Sequence, residues 1–235
     1  MKTTAVLSAL AAILTTAPAH AALTPYTSKA AFDGAIAGFS AAQTVDFDSV
    51  LAGTTFASGT GTGGLTFTYS IPGLSLQVSD TFGTTSGLNY LGLDNPDTAF
   101  FLGDSFTIGF NQTVQAVGLY VIAGSDAQAG DMQLSAGTGS VSNSATADVL
   151  VSDGQAFFLG LVESDPGLGF TSAVVTGVFT PNAFLAFTVD DITIAGNLAA
   201  SSVPEPQAWS MMFAALGLLA LRRRRDGARN ASNGQ

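Results

Sequence analysis

Short runs of alternating apolar and polar residues, with almost no helical spacing, dominate the chain between positions 44 and 194. In the first run, residues 44–50, Val45 and Phe47 fall on one side of an extended strand, and Asp46 and Asp48 fall on the other. Similar runs follow at 65–69, 74–78, 105–110, 114–122, 132–134, 147–151, 156–162, 172–179 and 184–194. Clusters of Gly, Asn, Asp, Ser and Pro separate these runs, as expected for turns. The pattern predicts an all-β, antiparallel β-sandwich, most simply jelly-roll-like, with a closed barrel as the alternative.

Two segments near the beginning of this domain depart from the alternating pattern. Ser28 is expected to cap a short helix that contains Phe32 and Ile36 and stops at Gly38. Residues 52–64 are rich in Gly and Thr and lack apolar spacing, so we expect a mobile loop there.

The residue types that the chain lacks restrict its chemistry. It contains no Cys, and its single His is His20, near the N-terminus. Serine triads, Cys-His dyads, disulfides and His- or Cys-ligated zinc sites therefore cannot be built from residues 22–200. We expect a protein that is not an enzyme and has no cofactor other than a possible structural calcium ion.

The charge is distributed very unevenly along the chain. Six of the seven basic residues lie in the two terminal segments, which leaves Lys29 alone against fifteen acids between positions 22 and 200, a formal charge of −14 there. Phosphate backbones are bound by clustered Lys and Arg, so nucleic acid is excluded as a partner of this region. Cations and neutral polymers remain as partners.

Residues 1–21 have the organisation of a secretory signal peptide. Lys2 supplies the positive charge, residues 5–14 are apolar but too short to span a bilayer, and Ala19-His20-Ala21 is a small-x-small cleavage site. We expect signal peptidase and the general export machinery to process the chain, so that the β-sandwich domain comprises residues 22–200.

The C-terminal segment, residues 201–235, combines three features. Val203-Pro204-Glu205-Pro206 has two prolines that favour an extended backbone, and uncharged residues 207–221 follow. These 15 residues form a helix of about 22 Å, shorter than the ~30 Å hydrocarbon core of a bilayer. A cluster of basic residues comes next, namely Arg222, Arg223, Arg224 and Arg225. We expect one short transmembrane helix with a cytoplasmic C-terminus and the domain outside; a plain C-terminal anchor is the alternative.

This three-part order resembles the PEP-CTERM sorting signal of Gram-negative bacteria. The resemblance implies that Pro204, Glu205 and Pro206 are read by exosortase, a membrane protease of transpeptidase type. It also implies an intermediate held in the inner membrane, then delivery to the cell surface or extracellular matrix, with a link to exopolysaccharide and biofilm. In contrast to the usual pattern, ten further residues, 226–235, follow the arginines.

The body has a looser resemblance of its own. Val45-Asp46-Phe47-Asp48, residues 154–160 and residues 187–194 are similar to the jelly-roll ectodomain common among PEP-CTERM proteins. Similar sandwiches occur among carbohydrate-binding modules. The resemblance implies a fold more than an activity. We therefore expect a structural or adhesive protein, with a calcium-dependent carbohydrate-binding module as the alternative.

Two acidic pairs are candidate calcium ligands: Asp46 with Asp48, and Asp190 with Asp191. If the first and last strands are neighbours, these carboxylates and nearby carbonyl groups could form an oxygen-only site. Exposed acids at strand edges also prevent aggregation, and this second interpretation is favoured because calcium has only the ligand type in its support. Residues 125–131 are a weaker calcium candidate.

A glycoside hydrolase would need paired carboxylates, and Glu163 with Asp165 is the pair to consider. A sugar site usually also has aromatic platforms. Tyr69, Tyr90 and Tyr120 could serve, although their apolar neighbours favour positions in the core. Hydrolase activity is therefore a minor alternative.

Overall fold

A computed structural model describes residues 23–165, 167–178 and 185–196. The predicted signal peptide, the predicted transmembrane helix and the sorting tail lie outside these residues. The described residues form one helix and fifteen strands: β1 (Thr24–Tyr26), α1 (Lys29–Ile36), β2 (Ala41–Val45), β3 (Thr55–Phe56), β4 (Leu65–Tyr69), β5 (Leu76–Ser79), β6 (Tyr90–Leu93), β7 (Phe100–Phe101), β8 (Ser105–Val114), β9 (Ala116–Ala123), β10 (Met132–Ala136), β11 (Gly139–Ser142), β12 (Val149–Val151), β13 (Gly154–Val162), β14 (Phe170–Gly177) and β15 (Ala186–Gly196).

These strands form two antiparallel sheets. The larger sheet has the order β1-β13-β9-β15-β6-β5-β3, with β12 also paired to β13, and β2 and β7 also paired to β15. The smaller sheet has the order β11-β10-β14-β8-β4. The prediction of an all-β antiparallel sandwich is confirmed, and the alternative of a single closed barrel is wrong for the described strands.

A hydrophobic core fills the space between the sheets because each inner face carries the apolar half of the alternating pattern. In β4 every second residue is buried and the residues between are exposed. Phe100 links the two sheets: its ring stacks on Phe106 of the smaller sheet at 4.8 Å and on Phe187 of the larger sheet at 5.3 Å. Aromatic rings bury large apolar areas, so this stack contributes strongly to the attachment of one sheet to the other.

Helix α1 covers part of the opposite, outer face of the larger sheet. Phe32 packs there with Tyr120 and Phe158 in a second hydrophobic cluster. Gly118 and Gly160 lie directly opposite each other in β9 and β13. A Cβ atom at Gly118 would lie 2.5 Å from the Phe158 ring, and one at Gly160 would lie 2.6 Å from the Phe32 ring. The two glycines therefore form a notch that lets the phenylalanine rings approach the sheet.

The predicted helix is confirmed, with Ser28 as its N-cap residue, although the Ser28 side chain makes no capping hydrogen bond to any described residue. The first alternating run is shorter as a strand than predicted, because β2 ends at Val45 and Phe47 has a φ of 62°. Val45 and Phe47 are nevertheless buried, and Asp46 and Asp48 are exposed, as predicted.

The segment 52–64 is not entirely a loop. Residues Thr55–Phe56 form β3, which pairs with β5 and buries Phe56 in the core. Within the described ranges, no helix is both long enough and apolar enough to cross a bilayer.

Candidate functional site on the outer face of β15

The alternation of core-facing and outward-facing side chains along strand β15 is interrupted in the middle of the strand. Phe187 and Val189 face the core before the change, and Ile192 and Ile194 face it afterwards. The register against β9 shifts between Asp190 and Thr193. A β-bulge of this kind places two successive residues on one face and redirects their side chains. Here it turns both Asp190 and Asp191 away from the core.

Segment 85–89, which precedes β6, covers these two acids. Asp190 is fully buried, and its Oδ2 accepts hydrogen bonds from the backbone N–H of Thr85 at 2.9 Å and of Ser86 at 3.2 Å. The Thr85 hydroxyl donates to the same Asp190 oxygen at 2.9 Å. Because a buried carboxylate must be hydrogen-bonded to be tolerated, these contacts fix the segment over the bulge.

Burial is the main reason that the pKa of Asp190 is raised, and the negative charge of Asp191 raises it further, to about 7. The hydrogen bonds from Asp191, Thr85 and Ser86 oppose this rise, because they stabilise the charged carboxylate. Asp190 is therefore a carboxyl group that changes protonation near neutral pH.

Asp191 takes part in the same contacts from a strained backbone. Its φ is 51°, a left-handed conformation that is uncommon for a residue with a side chain. The Ser86 hydroxyl donates to its Oδ1 at 2.8 Å. The Thr85 hydroxyl lies 2.9 Å from Asp191 Oδ2 and shares its single proton between Asp191 and Asp190. These side-chain contacts hold Asp191 in a conformation that an isolated strand does not favour.

The other predicted pair lies on the far side of the same segment. Asp48 Oδ1 accepts hydrogen bonds from the backbone N–H of Leu88 at 2.7 Å and of Asn89 at 3.0 Å. A Cβ atom on Gly87 would overlap with the Asp48 carboxylate, so a side chain there would displace Asp48 as well as strain the backbone, whose φ is 45°. Asp46 Oδ1 accepts a hydrogen bond from the Asp48 N–H at 3.2 Å, within its own turn.

Strands β2 and β15 are neighbours, because Val45 of β2 lies opposite Ile192 of β15, so the condition set for a shared site is met. Asp48 of the first pair and both acids of the second pair therefore contact one connecting segment, and donors are already bound to all three. In the part of the chain that the structure describes, no group of three or more His, Cys, Asp or Glu side chains is arranged to hold a metal ion. Calcium binding by these four acids stays a prediction.

A cavity of about 200 Å³ lies beside Asp190 on the same outer face. Thr188, two residues before Asp190, lines it, as does Ile122, which is opposite Thr188 in β9. Phe82 and Gly83 form another part of the lining, and Asp153 lies across from them. The Gly83 N–H donates to Asp153 Oδ2 at 3.0 Å, which joins the residues before the covering segment to the turn between β12 and β13.

The carboxylates considered for a hydrolase serve a local turn. Glu163 is buried, and its Oε1 accepts a hydrogen bond from the Asp165 N–H at 2.8 Å. The three tyrosines considered as sugar platforms are all buried, namely Tyr69, Tyr90 and Tyr120. Their rings are core positions, as their apolar neighbours predict.

Sequence reasoning did not identify Thr188, Phe82 or Thr85 as site residues. One signal was present: the apolar positions before and after Asp190-Asp191 are out of phase by one residue, which requires a bulge. Phe82 and Thr85 lie in a segment without alternation, so only the tertiary structure brings them to β15.

The two-sheet domain and the three-part C-terminus together define an all-β protein with a C-terminal sorting signal. Residues 202–225 match the PEP-CTERM protein-sorting motif, in agreement with the sequence-based identification of this tail. The chain is thus a protein with a PEP-CTERM sorting domain, and the motif implies an exported protein processed by exosortase. The matched range includes the proposed recognition residues Pro204, Glu205 and Pro206 and the arginines at 222–225.

No curated protein matches the chain. Among solved structures, the K2 cleaved adhesin domain of Lys-gingipain (Kgp) is similar, with a TM-score of 0.42 and 11% sequence identity. The similarity covers 66% of this chain and 99% of the adhesin domain.

Proposed function

We propose that the chain is a non-enzymatic structural or adhesive protein of the cell surface or extracellular matrix. The tail holds it in the inner membrane until exosortase acts. The observation that carries this proposal is the match of residues 202–225 to the PEP-CTERM protein-sorting motif.

The physical character of the tail supports a temporary hold in the membrane. The uncharged stretch 207–221 has 15 residues, whereas a stable span needs about 20. Four arginines directly after it, at 222–225, are costly to move across a bilayer and orient the preceding domain outwards. The Pro204-Glu205-Pro206 segment, whose prolines favour an extended backbone, then lies on the outer side, where a membrane protease can reach it.

The composition of the body supports a structural role rather than catalysis. Residues 22–200 contain neither Cys nor His, which removes the commonest nucleophiles and bases. Their formal charge of −14, with a single lysine, favours neutral or cationic partners. An exopolysaccharide with few anionic groups is the partner that we propose.

The strand order also supports a jelly-roll ectodomain. From β8 onwards the chain passes repeatedly from one sheet to the other, and β15 returns to lie between β9 and the strands β2 and β6. Jelly rolls are double-sheet sandwiches built from two Greek keys, and such domains act mainly as scaffolds whose function depends on particular sites.

The experiment compares the location of three forms of the protein in a host that has exosortase. In the first form the tail is intact, in the second residues 203–235 are deleted, and in the third Pro204-Glu205-Pro206 is replaced by three alanines. We expect the intact form at the surface or in the matrix, the deleted form free in the periplasm or medium, and the alanine form retained in the membrane fraction. The same distribution for all three would refute the proposed sorting.

Calcium-dependent carbohydrate binding is the second candidate, because segment 85–89 contacts Asp48 of the first acidic pair and both acids of the second. Calorimetry of the full-length chain with Ca²⁺, and then with neutral glycans in the presence and absence of Ca²⁺, tests it. The double variant Asp46→Asn/Asp48→Asn is the control, since both side chains are exposed. An absence of heat with Ca²⁺ would remove this candidate and would leave the sorting proposal unaffected.

A further inference from the structure

The cavity beside Asp190 has the composition of a binding site for a small, mainly apolar molecule. Most of its lining is apolar, with Ala99, Ile122, Val151 and Phe187 among the residues that form it. Small-molecule sites typically combine such walls with a few polar groups that orient the ligand. The cavity opens to solvent, so a molecule can enter it without unfolding of the domain.

Thr188 supplies a polar group that the protein itself does not use. Thr188 is only 3% exposed, and its Oγ1 is buried without a hydrogen-bond partner among the described residues. Leaving a buried hydroxyl unpaired costs about 1–3 kcal/mol. Rotation about χ1 by about 120° exchanges the positions of the Thr188 hydroxyl and methyl groups, which brings the hydroxyl to the cavity. A bound molecule that pairs with it there recovers the cost, which gives the cavity a reason to select a ligand with a hydrogen-bonding group.

Phe82 forms an aromatic wall at the opening. It remains 40% exposed although its ring stacks against Tyr90 at a centroid distance of 6.1 Å and an angle of 27°. An exposed aromatic ring beside an apolar cavity offers a face for another ring to stack on. The Gly83–Asp153 hydrogen bond keeps this wall in position.

The charges around the cavity exclude anions. Asp153 is part of the lining, and Lys29, the one basic residue of the described ranges, forms an ion pair with Asp33 at 2.6 Å. A carboxylate or phosphate in the cavity would therefore face a negative group with no cation to balance it. A neutral hydroxyl avoids this repulsion, and it can either donate to or accept from Thr188.

The size of the cavity limits the ligand to one ring. An apolar protein cavity of roughly 150 Å³ accommodates benzene, and this cavity is about 200 Å³. We propose that it binds a neutral, single-ring aromatic alcohol, whose ring packs between Phe82 and Ile122 and whose hydroxyl pairs with Thr188. This site is independent of the sorting tail.

The test uses p-cresol as the probe and toluene as the same ring without the hydroxyl, with binding to the full-length chain measured by ligand-detected NMR. We expect saturable binding of p-cresol, about fivefold tighter than that of toluene, as one neutral hydrogen bond provides. The anion 4-hydroxybenzoate is expected to bind more weakly than p-cresol. Ala186→Leu, which fills the cavity from a half-buried position, is expected to abolish binding.

Two further variants separate the site from general effects on folding. Thr188→Val is expected to remove the preference for p-cresol over toluene, whereas Thr193→Val, which removes a buried hydroxyl of the same strand outside the cavity, leaves it unchanged. If Ala186→Leu does not fold, Phe82→Ala replaces it, since the Phe82 ring is partly exposed. Binding that neither cavity variant weakens would overturn the proposal. So would binding of methyl glucoside in place of p-cresol.

Discussion

Thr188 and Asp190 occupy neighbouring outward positions of the same strand, yet their polar groups are in opposite states. Asp190 accepts hydrogen bonds from Thr85 and Ser86 through one carboxylate oxygen and from the Asp191 N–H through the other. The Thr188 hydroxyl is buried with no partner in the described part of the chain. The covering segment therefore supplies hydrogen bonds to the acids of the bulge, but it supplies none to the Thr188 hydroxyl beside the cavity.

The stability of the domain should depend on the protonation of Asp190. Its pKa is raised from an ordinary value of 3.8 to about 7, chiefly by burial. At a pH between these two values the carboxyl group is therefore protonated in the folded state and ionised in the unfolded state. The corresponding stabilisation is fully present below the ordinary pKa and is lost as pH rises through about 7. We expect the free energy of unfolding to fall by about 1.4 kcal/mol per unit between pH 5 and pH 7 and to level off above that.

Urea titrations at several pH values measure this dependence. Asp190→Asn should flatten the profile between pH 5 and pH 7, because the amide does not titrate. Asp97→Asn removes an exposed carboxylate elsewhere and serves as the control that keeps the slope. A wild-type profile that rises from pH 5 to pH 7 would contradict the assignment to Asp190.

The two buried threonine hydroxyls of β15 should respond differently to the same substitution. Thr188→Val removes a hydroxyl without a partner and is expected to leave the domain equally stable or up to about 2 kcal/mol more stable. Thr193→Val removes a hydroxyl that lies 2.9 Å from the Thr44 hydroxyl, and a loss of about 1 kcal/mol is expected. Thermal and urea unfolding of both variants give the comparison, which fails if Thr188→Val proves the more destabilising.

The glycine notch beneath the helix should not tolerate even a methyl group. Gly160→Ala places a Cβ against the Phe32 ring at 2.6 Å and is expected to destabilise the domain by about 1–3 kcal/mol. Gly34→Ala is the matched control: Gly34 is exposed in α1, with nothing near its Cβ position, so alanine should stabilise by about 0.5–1 kcal/mol. Equal effects of the two changes on the unfolding midpoint would argue against the notch.

The short hydrophobic stretch of the tail should be adjustable from a temporary hold to a permanent anchor. Insertion of five leucines into residues 207–221 brings the stretch to about 20 apolar residues, enough for a stable span. We expect uncleaved protein to accumulate in the membrane fraction, as measured by fractionation and by mass spectrometry of the C-terminus. Insertion of five leucines into the region after Arg225 is the control and should leave processing unchanged.

Sequence patterns predict the regular parts of this fold well because alternation directly reflects which face of a strand is buried. Strand β4 has the bounds predicted from its pattern, and α1 begins after Ser28 as expected. The short strands are harder to recognise from the sequence pattern. β6 is buried at every position and so has no alternation, and β7 has only two residues. β6 pairs mainly with β5, and β7 pairs with β15, so both strands depend on tertiary contacts that the pattern does not show.

The candidate site was partly predictable for the same reason. Asp190 and Asp191 stand out in the sequence, and their position between two out-of-phase runs indicates a bulge. The partners of these acids could not be predicted, since Thr85 and Ser86 lie more than a hundred residues away in a segment without a pattern.

The position of β15 within the larger sheet has a mechanical consequence. Residue 196 at its end is where the chain continues towards the tail, and β15 pairs with β9 along one edge and with β7, β6 and β2 along the other. A pulling force transmitted through the C-terminus therefore reaches an interior strand first. That strand can leave only if hydrogen bonds on both of its edges break, so the strand order resists a load applied from the C-terminal side.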